Sequence, residues 1–589
     1  MSYVAPVDSI AFTLNEIAGL RFDAARGAAG EYAPDMLASI LDEAGRFASM
    51  RLAPRNHEGD KIGARLNDGA VSLPDGWAGL YREWAQAGWN GVDLPAAWGG
   101  MGLPTRLATA VMEIWTSANM SFSLGPVLTQ GAVDALVLHA NQDLQRTYVP
   151  KLVSGEWSAT MNLTEPQAGS DLGALRTKAV RQDDGTYRIT GNKIFISWGE
   201  HDFTENIIHL VLARLPDAPV GTKGISLFVV PKFLVNEDGT LGARNDLLCT
   251  GLEHKLGIHA SPTCSMSFGE TGGAVGWLVG EENRGLNCMF TMMNKARLFT
   301  GLQGVAVAER AYQMAHAFAQ ERKQGRGPGA PAGQSSPIIV HPDVRRNLAT
   351  MRAMTAAGRA IAYSAARAID LAHAAPEAQE RRQNDELAGL LTPITKAWCS
   401  DMGFHVASIG VQVHGGMGYV EETGAAQLLR DARIPPIYEG TNGIQAIDLL
   451  LRKVLRPGSE VAQDTLLGFA EIGKEALTNV EPDVVAAGEI LMEACGALKT
   501  ATEWLAARQV DQEALLWAAT PYLQLWAVTA GCAYLTQGAQ SAVQLRQAGG
   551  AESACVVAIA DARHFAETIA IQAQSLARTV INNKIPVCC

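Results

Sequence analysis

Glu439 lies in the run Pro435-Pro436-Ile437-Tyr438-Glu439-Gly440-Thr441-Asn442-Gly443-Ile444-Gln445, between a proline-stiffened apolar turn and residues small enough to let a ligand approach the backbone. Burial against Ile437 and Tyr438 disfavours the carboxylate and brings its proton affinity toward what C–H deprotonation needs. A partly buried Glu at a helix N-terminus would read the same way. Two other segments carry side chains suited to a flat polar ring. In Met161-Asn162-Leu163-Thr164-Glu165-Pro166-Gln167-Ala168-Gly169-Ser170-Asp171, small hydroxyls and a glycine offer donors to a ring edge or a phosphate without filling its space. Taken alone, Thr-Glu-Pro is equally a turn or a helix start. In Lys193-Ile194-Phe195-Ile196-Ser197-Trp198-Gly199 the alternation predicts Phe195 and Ser197 on one side of a strand, an aromatic face beside a hydroxyl. An ordinary half-buried strand has that pattern too.

Asn294-Lys295-Ala296-Arg297 falls on a helical stretch, and an arginine on its apolar side needs an anionic or hydrogen-bonding partner, whether ligand or structural ion pair. Glu321-Arg322-Lys323 closes the same stretch and reads as a solvated face. Gln412-Val413-His414-Gly415-Gly416-Met417-Gly418-Tyr419 exposes backbone where a diphosphate or adenosine could lie close, or simply caps a helix with a tight turn. His414 reads as packed or capping. Two histidines, His254 and His259, share one loop, but no further His/Cys pair stands at ligand spacing, so no metal site is expected.

Elements able to position these groups follow from periodicity. Residues 1–155 alternate helical apolar patterns with Gly/Pro loops, predicting an N-terminal helical domain. Residues 156–285 turn to β-rich runs at Tyr187–Thr190, Lys193–Ser197, Ile207–Leu212, Ile225–Val230 and Thr263–Phe268, predicting an antiparallel barrel or sandwich. Helical periodicity returns over 286–456, where Gly301 and Gly304 would let a neighbouring helix approach closely. The Gly/Pro-rich stretch 324–337 is a loop between two long helices, Arg456-Pro457-Gly458 is a break, and 459–589 is an additional C-terminal helical domain. No repeat, coiled-coil heptad or Gly-x-Gly-x-x-Gly occurs, which gives no support to a Rossmann-type site.

Composition narrows the class. With 589 residues, 48% apolar and 18% charged, the chain is globular and holds several domain-sized cores. A formal charge of −12 argues against nucleic acid. The expectations are no secretory signal at the N-terminus, no run approaching a membrane span, and cysteines acting as reduced core residues of a cytoplasmic protein, with Cys588-Cys589 an unremarkable tail.

The run Ile437–Gln445, together with the Thr164–Asp171 loop, resembles the acyl-CoA dehydrogenases, and the resemblance covers nearly all of the first 455 residues. It implies an α+β fold: helical domain, central β-barrel and helical bundle, with FAD between barrel and bundle. The C-terminal helical extension is similar to that of larger, usually dimeric members. By motif position Glu439 becomes the base that removes the α-proton of an acyl-CoA thioester while FAD accepts the β-hydrogen as hydride. The resemblance further implies FAD contacts at Met161, Thr164, Ser170, Phe195, Ser197 and Thr441, and contacts from a neighbouring subunit at Arg322, Gln412, Gly415 and Gly416. Substrate contacts fall to Ser170, Asn294, Arg297 and Gly440. Phe195 and Ser197 stand where the family often has Trp and Thr, and Gln324-Gly325 replaces its aromatic-glycine pair. The implied partners are an electron-transfer flavoprotein and a second subunit, and the implied substrate is a fatty acyl-CoA or 3-methylthiopropionyl-CoA. An acyl-CoA oxidase and a non-catalytic scaffold of the same family are the alternatives, the scaffold disfavoured by the presence of Glu439 and the Thr164 loop.

Overall fold

A computed structural model describes residues 3–28, 32, 35–549 and 552–582, so the Cys588-Cys589 tail lies outside the described residues. The chain divides into two compact units. One contains residues 50–103 and 119–296, and the other contains 1–49, 104–118 and 297–589.

The first unit is built on an eight-stranded sheet: β1 (Ser158–Asn162), β2 (Lys178–Arg181), β3 (Tyr187–Ser197), β4 (Ile207–Arg214), β5 (Ile225–Pro231), β6 (Leu247–Leu252), β7 (Thr263–Phe268) and β8 (Ala274–Val279). Strand order is β6-β7-β3-β8-β5-β4-β1. β2 bridges β3 and β4, which closes β3-β8-β5-β4-β2 into a ring. The barrel is therefore real, but it is mixed rather than antiparallel, since β1 and β2 both run parallel to β4. Its core includes Ile189, Val211, Phe228, Val230, Met266 and Phe268. A hairpin, Arg65–Asn67 with Ala70–Ser72, interrupts the predicted N-terminal helical block, and its Val71 joins the barrel core. All five residues of β1 are buried.

Helix α1 (Met120–His139) packs on β1, and the Thr129 hydroxyl accepts a 3.1 Å bond from the Ala159 N–H. By length and composition α1 could cross a membrane, contrary to the expectation, but 83% of that window is buried within the fold. It has the character of a core helix, apolar on most of its faces because most of them are covered.

The second unit is helical. Its helices include the part of α2 (Gly285–Glu321) from Arg297 onward, α3 (Pro342–Ala374), α4 (Ala378–His414), the short α5 (Asn442–Asp448), and the C-terminal helices α6 (Val461–Ala476), α7 (Pro482–Ala506), α8 (Gln512–Gln547), α9 (Glu552–Thr568) and α10 (Ala573–Ile581). Loop 322–341 carries only a 3₁₀ turn and a bridge between Lys323 and Pro337, as its Gly/Pro content predicts. Gly301 and Gly304 do what their spacing suggested. A Cβ on Gly304 would lie 2.0 Å from the Cys399 carbonyl oxygen and one on Gly301 2.4 Å from that of Thr395, so α2 and α4 touch backbone to backbone. That contact fixes the middle of α4, the segment lying behind the Glu439 turn. The seven described cysteines are unpaired and buried.

Candidate active site

In the helical unit, the chain between α4 and α5 makes a turn in which Glu439 has φ +59° and Gly440 φ +83°. A left-handed conformation at a non-glycine residue costs roughly 1–3 kcal/mol and persists only where surrounding contacts impose it. Here those contacts are visible. Arg297 Nε donates to the Glu439 carbonyl at 3.4 Å, and Gln445 Nε2 donates to the carbonyls of Glu439 and Gly440, each at 3.4 Å. At φ +83° a side chain on Gly440 would be strained, and its Cβ would also press on Gln445 Nε2 at 2.8 Å, so glycine is favoured there. Thr441 caps α5, its hydroxyl accepting from the Ile444 N–H at 3.3 Å. Asn442 Nδ2 donates to the Ala397 carbonyl at 3.0 Å and to Ser400 Oγ at 3.1 Å, and its Oδ1 accepts from Lys396 Nζ at 2.9 Å. Tyr438 donates its hydroxyl to Gln303 Oε1 on α2.

The Glu439 carboxyl is half-buried. Burial pushes its pKa up to about 7, against the opposing pull of the Arg297 and Lys396 charges. A group that is half ionised near neutrality, still reachable from solvent and fixed in one backbone conformation has the properties of a general base.

A second cluster of the expected residues assembles in the barrel unit. Met161 is buried on β1, and Thr164 in the following loop accepts the Ile194 N–H on its carbonyl at 3.0 Å. The Thr160 hydroxyl donates to the Ser197 carbonyl at 2.7 Å, so the Met161–Thr164 segment and the Phe195–Ser197 segment lie side by side. The predicted simple alternation fails at Phe195. The register of β3 against β7 slips between the pairs Ile196–Cys264 and Lys193–Met266. This bulge puts Phe195 at φ +59° with the residue 58% exposed. Trp198, at φ +56°, turns the other way beneath α1, its indole N–H donating to Ser261 Oγ at 3.0 Å. An exposed aromatic held in a strained conformation beside Thr164 and Ser197 suits the covering of a flat ring and the bonding of its edge.

Sequence reading missed what folds this cluster. Lys193, fully buried, donates to Glu165 Oε1 at 2.9 Å and to the Leu163 carbonyl at 3.0 Å. Glu165 also accepts from the Thr177 hydroxyl at 2.6 Å and the Arg176 N–H at 2.7 Å. Burial works against ionisation of Glu165, but the Lys193 charge and these donors hold its pKa down to about 2. The available signal was the presence of a Lys at the inward phase of β3 and a Glu in a loop of small residues, charges that only a mutual pairing makes tolerable inside a core.

The remaining expected residues are exposed. Ser170 is exposed on its loop, and Asn294 is exposed on α2 while its neighbour Lys295 pairs with Asp93 and Asp134 at 2.9 and 2.8 Å. Arg322, Gln412, Gly415 and Gly416 are exposed where α2 and α4 end, two ends brought together by the Phe318 and His414 rings at 4.6 Å. His414 is a packed residue, its Nδ1 2.7 Å from the Gly410 carbonyl. Between Lys396, behind Glu439, and Gly415 the helix rises by roughly 28 Å, so Gly415 and the base mark two separate places on one subunit. His259 stays structural, its Nδ1 2.9 Å from Asp60 and its Nε2 2.9 Å from the Lys255 carbonyl.

Residues 35–156, 160–271 and 283–454 match the N-terminal, middle and C-terminal domain models of acyl-CoA dehydrogenase, and 468–587 match the acetyl-CoA dehydrogenase C-terminal-like model. The chain is 51% identical over 463 residues to 3-methylmercaptopropionyl-CoA dehydrogenase of Ruegeria pomeroyi, covering 79% of this chain and 78% of the relative. It is 37% identical over 485 residues to a butyryl-CoA dehydrogenase of Syntrophomonas wolfei, covering 81% and 79%. A Bacillus anthracis acyl-CoA dehydrogenase crystallised with FAD shares the fold at TM-score 0.72 and 22% identity, covering 94% of this chain and 89% of that one. The chain belongs to the acyl-CoA dehydrogenase family.

Proposed function

We propose that the protein is an FAD-dependent acyl-CoA dehydrogenase that converts an acyl-CoA thioester to its trans-2-enoyl-CoA, with 3-methylthiopropionyl-CoA or a short fatty acyl-CoA as substrate and an electron-transfer flavoprotein as acceptor. The observation that carries this reading is Glu439: a carboxyl with its pKa near 7, on a strained turn, at the position of the family's base. The substrate assignment is supported by 51% identity to the methylmercaptopropionyl-CoA enzyme against 37% to the butyryl-CoA enzyme.

In this reading Glu439 removes the α-proton, and its backbone N–H donates to the thioester carbonyl as enolate character develops there. Bound FAD supplies the hydride-accepting chemistry. Met161, Thr164, Phe195 and Ser197 would hold the flavin ring, the exposed Phe195 offering it an aromatic face, and by motif position Thr441 would be a further cofactor contact. By motif position Ser170 would serve the cofactor phosphates, and Ser170, Asn294, Arg297 and Gly440 would contact the acyl-CoA. The roughly 28 Å between Lys396 and Gly415 supports a homodimer in which Arg322, Gln412, Gly415 and Gly416 serve the other subunit's cofactor. Buried, unpaired cysteines support a cytoplasmic location.

The test is product analysis. Purified protein supplied with 3-methylthiopropionyl-CoA and a flavoprotein-type acceptor should yield a product two mass units lighter, with little peroxide in air. Stoichiometric hydrogen peroxide without any acceptor would replace the dehydrogenase reading with an oxidase.

A further inference from the structure

Glu439 has a buried neighbour that its own motif does not include. Lys396 sits in the middle of α4 with no exposed surface, and its ammonium donates to Asn442 Oδ1 at 2.9 Å. A buried lysine is costly unless its charge has a purpose or a partner. Asp401 and Glu439 are the carboxylates whose charges act on it, and Asn442 is a neutral amide. That amide is fully employed. Its Nδ2 donates to the Ala397 carbonyl and Ser400 Oγ, its Oδ1 accepts from the Lys396 ammonium, and its backbone N–H donates to the Pro436 carbonyl at 3.2 Å. Asn442 thus staples the end of the catalytic turn to positions 396, 397 and 400 of α4, the stretch that Gly301 and Gly304 hold against α2.

We infer that Lys396 is a positioning residue for the base: through Asn442 it holds the Glu439 turn in its left-handed conformation, and its charge keeps the Glu439 carboxylate available to accept a proton. The inference rests on the reading of Glu439 as the base. Arg297 opposes the Lys396 charge, and Tyr438 lies in the field of Glu439. Arg297 on α2 acts on Glu439 in the same direction as Lys396, while Asp401 favours the charged lysine. Asp448 and Arg452, beyond α5, act on Arg297 with opposite signs, and Arg433 acts on Asp401. Burial draws the two partners' proton affinities together, Lys396 down to about 7 and Glu439 up to about 7, so each titrates in the field of the other. Removing the lysine charge leaves Arg297 alone to favour the carboxylate.

The experiment compares Lys396→Met, Lys396→Arg, Asn442→Ala and Glu439→Gln as FAD-loaded full-length proteins. Each is mixed anaerobically with acyl-CoA, and the single-turnover bleaching rate is followed from pH 5.5 to 9. Lys396→Met should bind FAD normally, lose about tenfold in limiting rate, and move the acidic limb of the profile up by about one pH unit. Asn442→Ala, which keeps the charge and removes the staple, should lose rate without moving the limb, and Lys396→Arg should keep the limb in place. Without turnover, the carboxylic C=O infrared band that disappears in Glu439→Gln should titrate about one unit higher in Lys396→Met. If Lys396→Met fails to fold, the Asn442→Ala and Lys396→Arg profiles decide the matter. An unshifted limb and wild-type rate in Lys396→Met, or a shifted limb in Asn442→Ala, would overturn the inference. If Glu439→Gln itself bleaches at the wild-type rate, the failure belongs to the assignment of the base.

Discussion

Replacing Glu439 by Gln should make the protein more stable at alkaline pH while abolishing turnover. Burial raises the Glu439 pKa from 4.5 to about 7, so the folded chain retains a proton that the unfolded chain gives up over that range. The sign follows directly. Below pH 4.5 both states are protonated and the group contributes no pH dependence; as pH rises toward 7 only the unfolded state ionises, and stability falls; above 7 the loss is complete. A shift from 4.5 to about 7 at about 1.4 kcal/mol per unit corresponds to about 3 kcal/mol. Gln keeps the shape and carries no charge, so the variant escapes that loss. The assay is urea denaturation of wild-type and Glu439→Gln apoprotein between pH 5 and 9, reading the transition of the helical unit. The variant's advantage should be small at pH 5 and grow through pH 7 to about 3 kcal/mol. An advantage that stays constant with pH, or shrinks as pH rises, would refute the claim that Glu439 is held near neutrality by burial.

Other consequences are simpler to state. Glu165→Gln leaves Lys193 buried without its counter-charge and should cost about 3–5 kcal/mol, read by denaturation, with FAD lost in step. Phe195→Gly relieves the left-handed backbone at a residue that is 58% exposed, so the melting temperature should hold or rise, while FAD affinity, read by fluorescence titration, should fall about tenfold. Gly304→Ala drives a methyl to 2.0 Å from the Cys399 carbonyl oxygen and should destabilise by about 1–3 kcal/mol, with a slower limiting rate because α4 also carries Lys396.

The three motifs were legible because each concentrates its chemistry within about ten consecutive residues. The helical blocks were legible from period and from the breaks at 324–337 and 456–458. β1 was not, because a strand buried along its whole length beside a parallel neighbour shows no polar alternation, and Ser-Ala-Thr-Met-Asn has little β character. β2, β6 and β8 are short or polar on one face and escaped for related reasons. The Phe195 bulge depends on how β3 meets β7, a pairing that local alternation cannot encode. Glu165 with Lys193, and Asn442 with Lys396, are separated by 28 and 46 residues. Their meaning appears only once the chain is folded, since a lone Lys or Asn carries no mark of its partner.

The most direct measurement is anaerobic rapid mixing of the flavin-loaded protein and its Glu439→Gln variant with 3-methylthiopropionyl-CoA and butyryl-CoA, following the oxidised-flavin absorbance. The account predicts bleaching of the wild-type protein and a variant that keeps its flavin spectrum but bleaches at least about 10³-fold more slowly. A protein that binds no FAD, or a variant that bleaches as fast as wild type, would contradict it.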